Sequence, residues 1–285
     1  MANDVSNHAK YQFANKKISA SADSFKIILM NSAFVFNKDT HATYADVSAS
    51  EIATGNGYTQ NTKTLTGVSV TEDDTGDRSR ITFSNVSWAA SGGSIGPSAG
   101  AIIFDDTTLD DTVMGFIDFG AAQTVTDGGN FNVINIALNL TSVSATAEPS
   151  NHFCYQLSVK AIDFLTDVFK IILMNNTFTF NKDTHATLAD VTASQLATAN
   201  GYTQNSKTLA GVALAEDDTN DRARATWSNI SWTAAGGSIG PSNGAIIYDD
   251  TTVDDTVVGW IGFTEAKTAP DGANLNVNSV AVNAN

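Results

Sequence analysis

The sequence contains one long stretch twice, and this repeat constrains the fold more than any other feature. The heptapeptide FKIILMN at Phe25–Asn31 returns at Phe169–Asn175. Residues 7–141 align with residues 151–285 without a gap, and about 85 of roughly 135 positions are identical. Solenoid repeats are about 20–50 residues long, whereas a unit of this length is the size of a whole domain. The chain is therefore predicted to hold two homologous domains.

The predicted domain boundaries follow from the repeat. The first domain is predicted to span residues 1–141, with the core of the repeat at 25–141, and the second to span residues 151–285. The intervening residues 142–150, SVSATAEPS, are small and mostly polar and include Pro149. This composition is typical of a linker between domains.

Within each copy, apolar residues recur with the two-residue period of β-strands. Phe25, Ile27 and Leu29 share one parity, and further β-branched runs follow. These runs lie at residues 63–70, 80–88, 101–104, 113–119 and 130–140. Turn signals such as GNG, DDTGD and TDGGN separate them. Short strands joined by such turns predict a mainly β fold, with two tandem antiparallel β-sandwich-like or barrel-like domains.

Three of these strands break the simple alternation. The apolar set of residues 80–88 changes face near Asn85, and residues 130–140 do the same after Val133. Since a strand cannot change face without an extra residue, a bulge or bend is predicted at both places. Residues 113–119 are apolar at both parities, which is typical of a strand covered on both faces or pressed against a partner.

One short surface helix is predicted in each copy. Ser48 and Glu51 have the spacing of a capping pair, and Gly55 can end the helix. The second copy keeps the pair as Thr192 and Gln195. We expect this helix to lie beside the sheets of each domain.

Composition excludes several classes of protein. There are 15 Lys and Arg residues against 30 Asp and Glu, for a net charge of −15, so the surface repels a phosphate backbone and no nucleic-acid partner is expected. Cys154 is the single cysteine, which excludes an intramolecular disulfide. No apolar run reaches the ~18–20 residues that span a bilayer, and the first residues lack the apolar stretch of a secretory signal. A soluble protein with no membrane partner, made in a reducing compartment, is expected.

Two copies of a glycine-rich motif match the G-x-S-x-G pattern of serine hydrolases. Ser94 stands at its centre in the first copy and Ser238 in the second. The hydrolase motif needs a strand before the serine and a helix after it, but Pro97 or Pro241 follows, and then an extended segment. A turn between strands is therefore predicted rather than a catalytic serine.

The four histidines lack the neighbours that a metal site requires. His41 and His185 each follow an aspartate by two residues, and no third or fourth ligand occurs nearby in the sequence. Both are predicted to bond to their own loops. His8 and His152 are equally isolated.

The densest acidic clusters recur in both copies. In the first copy they comprise Glu72, Asp73, Asp74 and Asp77, and then Asp105, Asp106, Asp110 and Asp111. Converging aspartates can bind Ca²⁺, but this spacing does not match an EF-hand loop, and aspartate is a common turn former. Solvated acidic turns are predicted, with loop ion pairs that join Asp77 to Arg78 and Asp221 to Arg222. No catalytic, cofactor-binding or metal-binding residue and no cofactor is predicted.

The longest shared motifs resemble those of a known family. FKIILMN, FNKDTHATYADV, GNGYTQNTKTL, EDDT, SIGP and DDTT occur in this order in the first copy, and the second copy keeps most of their residues. This string resembles a family of small tailed-bacteriophage proteins that usually carry one copy of the unit. The resemblance covers residues 7–141 and 151–285, and the fusion of two units departs from the family pattern.

The resemblance implies a structural protein of the virion and not an enzyme. It implies a capsid decoration or cement protein that binds the outer surface of the major capsid protein shell and bridges its subunits. The chain would be a homo-oligomer or occur in multiple copies on the particle, after assembly in the host cytoplasm. The alternative is a tail, adaptor or fibre module that binds a host-surface glycan or protein.

Two features of the sequence suit a binding role. Joining two copies makes the second contact intramolecular, so that weak single sites combine into tight binding. The segment around Lys10, Lys16 and Lys17 is locally basic, and we expect it to dock on an acidic patch of the capsid.

A glycan hydrolase with Asp105 and Asp110 as paired carboxylates is a further hypothesis, and no catalytic motif in the sequence supports it.

Overall fold

The protein is mainly β, with several antiparallel sheets, as the sequence predicts for its fold class. The computed structural model describes residues 3–141 and 147–284. Within these residues the structure has four short helices, two in each half of the chain.

The first half contains nine strands and two α-helices. The helices are α1 (Asn7–Ala14) and α2 (Tyr44–Val47), and a 3-10 turn at Ser48–Ser50 follows α2. The strands are β1 (Asn3–Val5), β2 (Phe25–Asn31), β3 (Ser69–Asp73), β4 (Arg78–Thr82), β5 (Val86–Ala89), β6 (Ile95–Asp105), β7 (Val113–Val125), β8 (Asn130–Val133) and β9 (Ala137–Thr141).

The second half contains the same elements in the same order. Its helices are α3 (Asn151–Ser158) and α4 (Leu188–Val191), with a 3-10 turn at Thr192–Ser194 after α4. The strands are β10 (Glu148–Pro149), β11 (Phe169–Asn175), β12 (Ala213–Asp217), β13 (Arg222–Thr226), β14 (Ile230–Thr233), β15 (Ile239–Asp249), β16 (Val257–Ala269), β17 (Asn274–Val277) and β18 (Ala281–Ala284).

Each half arranges its strands in three sheets of its own, and the strand orders of the two halves correspond. In the first half the strand orders are β1-β7-β6-β2, β3-β4-β9 and β5-β8, and in the second they are β10-β16-β15-β11, β12-β13-β18 and β14-β17. All neighbouring strands are antiparallel. The main core of the first half joins one face of the four-stranded sheet, with Ile27 and Ile103, to the smaller sheets, with Ile81 and Leu138.

The four-stranded sheet is covered on its second face as well. A smaller core there packs Ile28 of β2 against Val47 of α2. β7 contributes Met114 to the main core and Val113 to the smaller one. The double apolar parity of residues 113–119 therefore reflects a strand buried between two cores.

The two predicted changes of face are confirmed as breaks between strands. β4 ends at Thr82 and pairs with β9, whereas β5 begins at Val86 and pairs with β8. The break between β8 and β9 lies opposite, where Asn135 has φ of 55° and its N–H donates to Asn85 Oδ1 over 3.0 Å. The β4–β5 and β8–β9 segments thus bend together and pass from one sheet to the next.

The helices differ from the sequence prediction in two respects. The predicted capping pair of Ser48 and Glu51 is wrong, because the structure caps α2 with Thr43 and Asp46. Glu51 is instead buried, and its carboxylate accepts a hydrogen bond from Tyr58 Oη. The second copy behaves alike, so Thr192 and Gln195 do not cap α4.

α1 and α3 were not predicted, since their apolar pattern is weak. The buried positions of α1 include Asn7 and Lys10 beside Ala9 and Phe13, so polar residues interrupt the helical period. The last part of the predicted linker is also structured: Glu148–Pro149 forms β10 and pairs with β16, while residues 142–146 lie outside the described residues.

The two halves exchange contacts through these helices. α1 of the first half packs on β12, β13 and β18 of the second, and α3 of the second packs on β3, β4 and β9 of the first. Ser158 of α3 donates a hydrogen bond to the Ser79 hydroxyl of β4, and both residues are fully buried. At the equivalent places, Ala14 of α1 and Ala223 of β13 lie in the core cluster of the second half. Each half therefore contributes a helix that packs on a sheet of the other half.

Candidate functional site

His8 of α1 joins carboxylates from both halves. Its Nε2 lies 2.9 Å from Asp110 Oδ2 of the first half, and its Nδ1 lies 3.2 Å from Glu216 Oε2 of the second. Gln12, one turn further along α1, donates to the same Asp110 oxygen over 3.2 Å. We call this arrangement the first histidine clamp.

The second histidine clamp is built in the same way with the halves interchanged. His152 of α3 has its Nε2 2.9 Å from Asp254 Oδ2 of its own half, and its Nδ1 lies 3.1 Å from Glu72 Oε2 of the first half. Gln156 donates to Asp254 over 3.2 Å. The prediction that these histidines are isolated is wrong, because their partners come from distant parts of the chain.

The clamps favour the charged form of the imidazole. The hydrogen bond to Glu216, assisted by that to Asp110 and opposed by partial burial, raises the pKa of His8 to about 9. The hydrogen bond to Glu72 similarly raises the pKa of His152. Burial acts to raise the pKa of Asp110, but hydrogen bonds from Thr112 and His8 outweigh it and hold that pKa below its usual range. At neutral pH the His8 imidazolium therefore donates one N–H to each half.

Ion pairs beside the clamps also cross between the halves. Lys38 Nζ lies 2.7 Å from Asp221 Oδ2, and Lys182 Nζ lies 2.7 Å from Asp77 Oδ2. Lys10 is buried and donates to the carbonyl oxygen of Asp221 over 2.7 Å. The expectation that Lys10 docks on an external acidic patch is therefore wrong.

The β3–β4 turn and its counterpart contact the neighbouring half, while Asp74 and Asp218 stay exposed to solvent. Glu72 and Asp77 make the contacts just described, and Asn151 donates to Asp74 over 3.3 Å. The predicted pair of Asp77 with Arg78 is also wrong, because Arg78 Nε donates to Asp73 Oδ2 over 2.7 Å. In the second half Arg222 likewise pairs with Asp217, not with Asp221. Among the residues described, no group of three or more His, Cys, Asp and Glu could hold a metal ion.

The candidate carboxylate pair of Asp105 and Asp110 does not form a common site. Asp105 is fully buried and accepts from the N–H of Thr107 over 2.8 Å, whereas Asp110 faces His8. Burial, together with the nearby charge of Asp23, raises the pKa of Asp105 to about 7 against the effect of that N–H. Asp105 therefore acts as a capping group inside its own turn.

The remaining sequence candidates serve their own loops. Ser94 is followed by β6 rather than by a helix, and Ser238 by β15, so neither stands in a hydrolase turn. His41 Nδ1 accepts from the N–H of Asn37 over 3.1 Å, and its ring stacks on Phe34 at 5.1 Å between centroids. The prediction for His41 is confirmed. His185 makes the matching bond to Asn181 over 3.0 Å.

The most exposed apolar side chains stand on two equivalent loops. Leu109 (107% exposed) lies on residues 105–111, and Val253 (108%) on residues 249–255. We call these loops the first and second tips. A groove of roughly 510 Å³ runs between the first tip and α1, lined by Tyr11, Gln12, Asn15, Lys17, Thr107, Thr108, Leu109 and Asp110.

Comparisons with known proteins do not assign the chain to a family. No family model matches the sequence, and neither the curated proteins nor the solved structures contain a match. None of the helices in residues 3–141 and 147–284 is long and apolar enough to cross a membrane.

Proposed function

We propose that this chain is a structural virion protein of a tailed phage, without catalytic activity. In this proposal it is a decoration or cement protein that binds the outer surface of the major capsid protein shell and bridges neighbouring subunits. It acts in multiple copies on the particle, and it joins the particle in the host cytoplasm. The motif string described above supports the phage assignment.

The observation that carries the proposal is the paired presentation of equivalent surfaces. The two halves have the same strands and sheets, and their helices and clamps tie them to one another. The first and second tips are therefore held by a common framework instead of by a flexible tether. A rigid pair of like surfaces suits a shell, because a shell offers the same site on neighbouring subunits.

The contacts of the candidate catalytic groups support a non-catalytic role. His8 and His152 hold the halves together, Asp105 caps its own turn, and Ser94 precedes a strand. Each of these groups is thus engaged in a contact that serves the fold.

A direct test is binding to purified shells. Shells assembled from the major capsid protein of the phage that encodes this chain are mixed with the purified chain and sedimented. We expect saturable binding of many copies per shell and a higher melting temperature of the decorated shells. Binding at a single vertex, or no binding, would contradict the proposal.

A groove on the second half favours the alternative of a tail, adaptor or fibre module. It measures roughly 460 Å³ and is lined by amide and charged side chains that include Glu265, Asn274, Asn276 and Asn278. Phe263 lies in the adjoining groove, with Lys267 Nζ 4.3 Å from its ring centroid. Amides beside an aromatic ring suit a sugar. Binding of the isolated chain to host cells, lost on Phe263→Ala, would favour this alternative.

A further inference from the structure

We propose that Leu109 and Val253 are the anchor residues of the partner-binding surface. Each inserts into an apolar socket rimmed by lysine or arginine side chains, and the partner is a protein surface that presents this socket at least twice. This inference rests on the proposed function and specifies the contact through which the chain binds the shell.

The first observation is the exposure of both side chains at equivalent positions. Leu109 and Val253 align with each other in the repeat, and each is fully exposed at 107% and 108%. Single exposed apolar residues are common on protein surfaces. Here the two copies differ in residue type but keep a branched aliphatic side chain at the same loop apex, which points to a shared use.

The second observation is that the tips are rigid before any partner binds. The Asp105 carboxylate accepts from the N–H of Thr107, and Thr108 Oγ1 donates to the Asp105 carbonyl and accepts from the N–H of Thr112. The N–H of Asp106 donates to the carbonyl of Ser24. All four bonds recur in the second tip. A fixed loop loses little conformational entropy on binding, so an apolar residue at its apex is a preorganised anchor.

The second tip stands beside further exposed apolar surface. Val168 is 45% exposed, and its N–H donates to Thr251 Oγ1 over 2.7 Å, two residues from Val253. Leu165, three residues before Val168, is 50% exposed. The first copy has serine at both equivalent positions. The second tip therefore offers the larger apolar contact.

Charge determines the kind of partner. Each tip contains four aspartates and neither lysine nor arginine, and the whole chain carries −15. Asp105 and Asp249 are fully buried, so three carboxylates of each tip contribute to the charge around its apex. Lys26 and His8 partly balance Asp106 and Asp110 in the first tip. A second copy of this chain, or an anionic membrane, would be repelled by such a surface. A socket with a basic rim complements an apolar apex surrounded by carboxylates.

The test is the affinity of tip variants for shells assembled from the major capsid protein. Leu109→Ser and Val253→Ser are made singly and together, and sedimentation with increasing shell concentration gives the dissociation constants. We expect each single variant to weaken binding about tenfold and the double variant about 100-fold, because each buries one aliphatic side chain less. We expect the affinity of the unmodified chain to fall as NaCl is raised from 50 to 500 mM.

Two variants provide matched controls. Val35 is 79% exposed on another loop, and the second half has Thr179 at the equivalent position, so Val35→Ser should leave binding unchanged. Leu109→Val converts the first apex to the residue of the second and should also retain binding. Unchanged thermal unfolding of all variants shows that they fold, as expected for side chains that contact solvent.

The outcomes separate the inference from the proposed function. If the unmodified chain binds shells and the double variant binds equally well, the anchor assignment is overturned and the proposed function stands. If the affinity does not depend on salt, the inference that lysine or arginine side chains rim the partner's socket is overturned. If the unmodified chain does not bind shells, both proposals fail together.

Discussion

Replacing His8 with leucine removes the only side chain that joins Asp110 of the first half to Glu216 of the second within the first histidine clamp. The two carboxylates then face each other without an intervening cation. We expect the variant to be less stable than the unmodified chain at pH 6, with the free energy of unfolding in urea as the measurement.

The magnitude follows from the perturbed titration of His8. A rise of the pKa from 6.5 to about 9 corresponds to an upper limit of about 3 kcal/mol in folding free energy. The side chain is 20% exposed, and solvent screens the contact, so we expect a loss of about 1–2 kcal/mol.

The pH dependence has a definite sign. Because the folded-state pKa lies above the unfolded one, the stabilisation is fully present below pH 6.5 and is lost as the pH rises through about 9. The stability difference between the unmodified chain and His8→Leu should therefore be large at pH 6 and nearly vanish at pH 9.5. An equal difference at both pH values would refute the clamp as an electrostatic contact.

His41 supplies a control of opposite sign. Burial lowers the pKa of His41, so its neutral form is the one that the fold favours. The stability difference caused by His41→Asn should not shrink between pH 6 and pH 9.5. A similar decrease for both variants would indicate that the pH effect arises elsewhere.

Three further predictions follow from burial and backbone geometry. Phe13→Ala should cost about 3–5 kcal/mol in urea unfolding, since Phe13 is fully buried in the first core; a loss below 1 kcal/mol would contradict its packing. The stability of Asp105→Asn relative to that of the unmodified chain should increase from pH 5 to pH 8, because the folded state resists ionisation of Asp105, whose pKa is about 7. Melting temperatures of both proteins at the two pH values test this. Gly57→Ala should cost about 2–4 kcal/mol, because its Cβ would lie 2.0 Å from Ala89 O at φ of 92°, whereas Gly92→Ala at φ of 82° meets no atom within 4 Å and should cost only about 1 kcal/mol; urea unfolding compares the two.

The sequence predicts the β framework well because strand periodicity is a local property. The parity change near Asn85 marks the passage from β4 to β5, and the one after Val133 marks that from β8 to β9. The predicted helix after Ser48 lies too far along the chain, because α2 spans Tyr44–Val47 and only the 3-10 turn at Ser48–Ser50 overlaps the prediction. Two overlapping candidate pairs, Thr43 with Asp46 and Ser48 with Glu51, both satisfy the capping spacing, and tertiary burial of Glu51 decides between them.

The histidine clamps could not be derived from local sequence. The partners of His8 lie 102 and 208 residues away, and one of them belongs to the other copy. A weak signal does exist, because both copies keep a glutamine four residues after the histidine, as Gln12 and Gln156. On a helix this spacing places the two side chains on one face. The weak apolar pattern of α1 and α3 conceals that helix.

The contact between α3 and β4 constrains how the two copies can diverge. Ser158 and Ser79 form a buried hydroxyl pair, while their counterparts Ala14 and Ala223 are both alanine. Each of these pairs joins a helix of one copy to a strand of the other, so a change in either copy alters the fit of its neighbour. A polar or larger side chain at one of these buried positions therefore needs a matching change in the other copy.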